Sequence, residues 1–322
     1  MAERTRARVA DRFTALFPGE RIALVDAIDE MAERFDRLGD QRPATCGAFA
    51  LSYLLPAVGF ARHEGRDVAA EDYLAHLAAV VVEEREVPPS QEVTERVARG
   101  ELTEAEALER FERVWYRYPV RASADPVAQG TSPTGVARAI AVATGGRLAT
   151  VPVAGRDADG ATVLTPERWE ALVDLLIARL AAWRVHAVLN YEADQLLDPR
   201  SAEYRPEALR GPRAWEPLPR DHWGVGHFAG LAGIWRRPDG ESWLLLLDTY
   251  KERGFDGYQP QPAELMRCGL VRTDGRGGGV LLVVPREVAA EVTDALGRIG
   301  IVPRMWSNGS PEPDDWTWAP GR

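Results

Sequence analysis

Apolar residues recur at helical spacing from the front of the chain. Val9, Phe13, Leu16 and Phe17 mark one face, Pro18-Gly19 breaks the run, and Ile22, Val25, Ile28, Met31 and Phe35 mark the face of a second helix. Residues 1–38 therefore read as an N-terminal helical extension, a packing or lid element. Gly39-Asp40-Gln41-Arg42-Pro43 is a loop. Thr45 stands at an N-cap position, so Cys46 falls in the first turn of a helix whose buried face is Phe49, Tyr53 and Leu54 and which Pro56 ends or kinks. Residues 69–118 are mostly helical, interrupted at Val87-Pro88-Pro89-Ser90, with Thr103 capping a turn rich in glutamate. Gly130-Thr131-Ser132-Pro133 introduces a helix over 135–144, and Trp169, Leu172, Leu176 and Leu180 make 166–183 amphipathic.

From residue 185 onward the texture becomes β-like. Short strands are expected over 185–191, 223–235, 243–247, 269–272 and 280–284, after an earlier one at 148–153, and a helix over 287–298. Arg236 to Gly240 and Thr273 to Gly279 read as hairpin turns. Helices first and antiparallel strands later give an α+β class: a helical lobe over about 39–184, a sheet lobe over about 185–300, and a polar, Pro-rich, mobile tail over 301–322 that Trp306, Trp316 and Trp318 are placed to tack down.

Composition narrows the function classes. The 322 residues, 45% hydrophobic and 27% charged, are those of a globular protein with a sizeable core. A net charge of −10 argues against nucleic acid as the main partner, because phosphate binding needs a basic face. The start of the chain lacks the apolar core of a secretory signal, and no run approaches the roughly 18 apolar residues of a membrane span, so no membrane partner and a cytoplasmic location are expected. The two cysteines, Cys46 and Cys268, allow one bridge or two free thiols; free thiols are expected.

The chemistry-bearing residues are Cys46, His227 and Asp248. The turn Arg237-Pro238-Asp239-Gly240, if centred between Arg237 and Pro238, sets His227 and Asp248 directly opposite each other on a hairpin; centred one residue later it makes them diagonal neighbours. The carboxylate can then fix the imidazole tautomer and support its charged form. A cysteine at a helix start beside a charged histidine is an activated nucleophile. The Cys46 N–H and the Gln41 side chain are candidate oxyanion donors, and Gly47 leaves room for a substrate backbone. The other candidates carry blander readings. Cys268 lies in a β-like stretch as a core thiol. His222, beside Asp221, competes with His227, and His63, His76 and His186 read as surface or core groups. Trp223, Trp235 and Trp243 read as core before cleft. Nothing has metal-ligand spacing, Gly275 to Gly279 lacks the Lys-Ser/Thr of a phosphate loop, and no cofactor is expected.

Gln41, Cys46-Gly47, Gly226-His227-Phe228 and Asp248, in this order, resemble the papain-like cysteine peptidases, and most of all the bacteriocin-leader (double-glycine) peptidases and their stand-alone relatives. Gly130-Thr131-Ser132-Pro133 also resembles a segment of that group. The resemblance covers residues 39 to about 300. It departs in that Gln41 stands five positions before Cys46 rather than six, and in a longer Cys–His separation. It implies a papain-like fold and hydrolysis of a peptide or amide bond in a peptide or protein substrate through a Cys46-His227-Asp248 triad. A transamidase on the same residues, or a papain-like binding module without turnover, are the alternatives. Oligomeric state leaves no mark in the sequence.

Overall fold

The computed structural model describes residues 21–209 and 215–319. Its class is α+β, built on one seven-stranded antiparallel sheet. The sheet strands are β1 (Arg21–Leu24), β6 (Leu148–Ala154), β7 (His186–Glu192), β8 (Gly226–Arg236), β9 (Ser242–Leu247), β10 (Tyr258–Pro262) and β11 (Gly279–Pro285). Two small pairs stand apart, β2 (Arg62–His63) with β3 (Arg66–Asp67), and β4 (Val81–Glu83) with β5 (Arg121–Ser123). The main order is β10-β9-β8-β7-β11-β6, and β1 continues the β7 side of β8 along its turn-proximal half. Among the described residues the helices are α1 (Ile28–Arg37), α2 (Cys46–Ala57), α3 (Glu71–Leu77), α4 (Val87–Ala98), α5 (Glu104–Phe111), α6 (Pro133–Ala143), α7 (Pro166–Arg179), α8 (Ala263–Val271) and α9 (Ala289–Arg298).

Strands β6, β7 and β11 are buried along their whole length, which is why they read as unbroken apolar runs rather than alternating ones. Helix α2 covers one face of the sheet. Its Tyr53 hydroxyl accepts from the Gly230 amide and donates to the Leu247 carbonyl, each at 3.1 Å, pinning the helix across two strands. Only glycine fits at 230, since a β-carbon there would lie 2.4 Å from that hydroxyl. Helix α8 covers the opposite face, where Gly269 packs on the Tyr191 side chain.

Several expectations are corrected. Residues 1–20 of the expected extension lie outside the described residues. The rest is integral to the core: Ile22 sits in strand β1, paired with Trp235, and only from Ile28 does the chain turn helical, with Met31 and Phe35 fully buried. Val87-Pro88-Pro89-Ser90 opens α4 instead of interrupting a helix, because proline is tolerated in a first turn, where its missing N–H is unneeded. Residues 269–272, expected as a strand, finish helix α8, so 273–279 joins a helix to β11 and is not a hairpin turn. Strand β10 escaped the pattern because Pro260 and Pro262 argue against a strand; it lies at the sheet edge, where proline costs no ladder bond on the open side. β6 joins the main sheet, so a division at 184 does not separate helices from strands. The tail is docked: Trp306 Nε1 donates to Asn190 Oδ1 at 3.1 Å, Asn308 Nδ2 to the Thr131 carbonyl at 2.9 Å, and Trp318 Nε1 to the Thr150 carbonyl at 3.2 Å. The capping box at Thr103 is formed with Glu106.

Candidate active site

Cys46 is the first residue of α2, so its N–H has no acceptor within the helix and lies at the positive end of the dipole. Thr45 occupies the N-cap position without capping. Its hydroxyl bonds the Arg42 carbonyl at 2.7 Å and the Glu71 carboxylate instead. That turn is held from below: Glu71 accepts from the Arg42 amide at 2.9 Å, and Arg117 forks onto Asp72, which also lies 3.8 Å from Arg42. Burial pushes the Glu71 carboxyl up to about 7, against the pull of Arg42 and Thr45. Ala44, two residues before the thiol, has φ 63, a conformation costly for a residue with a β-carbon.

Gly47 is set by the packing of α2 on its neighbours. A β-carbon there would sit 2.7 Å from Val136 Cγ2 and 2.8 Å from Thr131 Cγ2, so it lets α2 lie against α6. Gly47→Ala is expected to destabilise by about 1–3 kcal/mol, read from the urea midpoint, despite alanine's better helix propensity.

His227 and Asp248 meet, but by a route the turn arithmetic did not contain. The turn closes with Arg237 N bonding Glu241 O at 2.9 Å, one residue longer than expected, and pairs Arg236 with Ser242. Continued unchanged, that register would set Asp248 opposite Gly230 and put His227 on the other face of the sheet. A bulge between Leu231 and Gly233 shifts it by one, so that Gly230 pairs with Leu247. Extended one step, Asp248 faces Ala229, and His227 becomes its diagonal neighbour on the same face. The direct-opposite pairing is therefore not formed; the diagonal one is.

His227 Nε2 lies 3.2 Å from Asp248 Oδ1 and 3.2 Å from the Thr249 hydroxyl, leaving Nδ1 for the thiol. Cys46 lies near enough to the ring to raise its pKa further. Three aromatic rings enclose the imidazole: Trp223 at 5.0 Å, Tyr191 edge-on at 5.7 Å and Tyr250 stacked at 6.0 Å. Burial alone would make the ring less basic. Asp248 and Cys46 more than offset it, and its pKa is raised to about 9. Asp248 is likewise penalised by burial, yet His227 and Arg253 hold its carboxyl below the ordinary range.

These shifts fix a pH dependence of stability. The raised His227 pKa means that its contribution is complete below the ordinary 6.5 and disappears as pH rises through about 9. The lowered Asp248 pKa means that its contribution is present above about 3.8 and is lost as pH falls through its folded value. Relative to His227→Gln, the wild type is expected to lose about 3 kcal/mol of its advantage between pH 6.5 and pH 10, measured by urea unfolding.

Behind Asp248 lies a buried network absent from the sequence reading. Arg253 Nε is 3.3 Å from Asp248 Oδ2, its other end pairs with Asp221, Arg200 reaches Asp221 at 3.0 Å, and the Arg253 guanidinium lies 5.0 Å from the Trp223 ring centre. The network's one sequence signal is the Asp221-His222-Trp223 cluster before β8, in which Asp221 is buried and His222 exposed. Gln41 is buried against this side of the site. Its backbone N–H donates to the Thr249 carbonyl at 3.0 Å, and its side-chain oxygen has no hydrogen-bond partner among the described residues.

The remaining candidates stay apart. Cys46 and Cys268 are unbridged, and Cys268 is half-buried on helix α8, not a core thiol on a strand; burial raises its pKa. His63 bonds the Tyr73 hydroxyl and His76 the Pro119 carbonyl. Trp235 and Trp243 pack on each other in the core, whereas Trp223 lines the site. Among the described residues no group of three or more His, Cys, Asp or Glu could hold a metal, and no helix is long and apolar enough to cross a membrane.

No curated protein matches this sequence. A family model does match, across residues 25–307, from the β1–α1 connection through the other six strands of the sheet to the start of the docked tail. The chain belongs to DUF6885, a family of unknown function.

Proposed function

We propose that this chain performs thiol-dependent acyl transfer in a papain-like arrangement, hydrolysing a peptide or amide bond. The observation that carries the reading is His227, buried with Asp248 on one ring nitrogen and close enough to Cys46 for the two side chains to be coupled electrostatically. Cys46 Sγ attacks the substrate carbonyl and forms a thioester. The His227 imidazolium protonates the departing amine, then takes a proton from water as the water displaces the thiol. Asp248 keeps the ring oriented and charged. The Cys46 N–H and the Gln41 side chain are the proposed oxyanion donors, supported by the helix-start position of the one and the burial of the other beside Thr249. An amine in place of water makes the same residues a transamidase.

The closure of the site favours a second reading, a papain-like binding module without turnover: Cys46 is 8% and His227 1% exposed. Iodoacetamide at pH 7, with the modified peptides quantified by mass spectrometry, separates the two. Acyl-transfer chemistry is expected to label Cys46 faster than the more exposed Cys268. Labelling that follows exposure, Cys268 first, supports the binding module. In the catalytic case the alkaline limb of Cys46 labelling that depends on the charged ring falls near pH 9, and Asp248→Asn moves it downward, because the carboxylate is the main group raising His227.

A further inference from the structure

A cavity of about 870 Å³ opens at the end of α2 remote from Cys46. Helix α2 has 12 residues, which puts the cavity roughly 18 Å from the thiol. Its walls are Val58 and Phe60, just beyond the helix, and the strand ends Leu148, His186 and Pro285. The sheet register explains the grouping. Pro285 pairs with Leu148, and Val283 pairs with both Thr150 and His186, so these side chains share the face on which α2 packs. The size is that of a small-molecule site, and the floor is apolar.

The polar groups are unevenly distributed. Arg147, Arg184 and Arg286 line the cavity with Asp26 and Glu287, and Glu287 already lies 3.5 Å from Arg184. Arg147 stacks 4.4 Å from the Phe60 ring centre, which fixes its guanidinium over the apolar floor. His186 is 3% exposed and its Nδ1 has no hydrogen-bond partner among the described residues. Burial and Arg184, against the pull of Asp26, hold its pKa down to about 4, so at neutral pH the ring is uncharged and offers one donor and one acceptor. Buried polar atoms are ordinarily paired, and an orphan on a cavity wall is accounted for by something that enters the cavity. Two lining residues, Ala27 and Arg184, also hold left-handed backbone at φ 52 and φ 48, strain that persists where a site is being shaped.

We propose that this cavity binds a small organic anion, an apolar body bearing one carboxylate or phosphate. The guanidinium groups of Arg147, Arg184 and Arg286 receive the head, Val58, Phe60 and Leu148 receive the body, and His186 Nδ1 meets a polar atom between them. The site is separate from the thiol, and its existence does not depend on acyl-transfer chemistry.

The experiment is a fluorescence titration of the full chain with 1-anilinonaphthalene-8-sulfonate, an apolar body with an anionic head, followed by displacement with decanoate and with decyl phosphate to separate the two head groups. One saturable equivalent is expected, displaced by at least one competitor and accompanied by a change in the His186 ring ¹⁵N shift. Arg147→Ala/Arg286→Ala is expected to weaken binding at least tenfold, and Val58→Trp to abolish it. Urea midpoints establish that each variant is folded; should Val58→Trp fail to fold, the arginine pair decides. Wild-type affinity in the folded arginine variant, or a probe signal that neither competitor displaces, overturns the proposal.

Discussion

Alanine at position 227 is expected to reverse the order in which the two cysteines react. In the wild type, Cys46 sits at a helix start beside a ring that stays charged to about pH 9, and Cys268 sits beside Glu264 with its pKa raised by burial. An ordinary thiol, with a pKa of about 8.5, is only about 3% ionised at pH 7. Full ionisation gains roughly thirtyfold in reactive species, and the lower nucleophilicity of a stabilised thiolate returns part of that. The imidazolium is therefore expected to account for about a tenfold or greater rate of Cys46 alkylation. Without it Cys46 is a closed-in thiol with no imidazolium beside it, and Cys268 is expected to be labelled first. His227→Gln separates charge from packing, since it refills most of the space between Trp223, Tyr191 and Tyr250 without restoring a cation. If both variants label Cys46 at the wild-type rate, the ring does not activate the thiol and the triad reading fails.

Arg253→Ala is expected to cost about 3–5 kcal/mol, more than any other single change considered, because it leaves two carboxylates buried without their shared cation. Asp248 and Asp221 are both sealed from solvent. Arg253 lies between them, itself 2% exposed, with Trp223 packed on its flat face. The remaining partner of Asp221, Arg200, reaches in from a half-exposed position and does not contact Asp248. Chemical denaturation at pH 7 gives the loss directly. Lowering the pH is expected to return part of it, because protonating Asp221, left with only Arg200, removes a buried charge. Arg253→Ala/Asp221→Asn is expected to be more stable than Arg253→Ala alone, since the carboxylate left with only the half-exposed Arg200 is gone, while Asp248 keeps His227. Additive effects of the two substitutions would show that the three groups do not act as a unit.

The elements were legible wherever one face or the whole of a segment is apolar. The period of Phe49, Tyr53 and Leu54, the run at 280–284 and the cap at Thr103 each state their structure locally. Where local pattern and tertiary packing disagreed, packing prevailed. Gly269-Leu270-Val271 reads as a strand fragment by itself, yet it ends a helix, because the glycine face of α8 has to lie on Tyr191. Ile22 reads as helical by spacing, yet it is a strand residue, because β8 offers an open ladder alongside.

By itself the sequence determined an α+β chain with a cysteine at a helix start and a histidine and an aspartate near the far end of one hairpin. Those facts rest on short-range properties: period, capping position and the proximity of two strands joined by a tight turn. Only the tertiary structure decided that His227 and Asp248 share a face, because one bulged residue reverses the parity of every position beyond it, and no local pattern announces a bulge in a run as uniformly apolar as Leu231-Ala232-Gly233. The same holds for Arg253, Asp221 and the enclosing rings of Trp223, Tyr191 and Tyr250: they come from separate segments, and their meeting depends on how the sheet and its loops close around a charge that has been taken out of water.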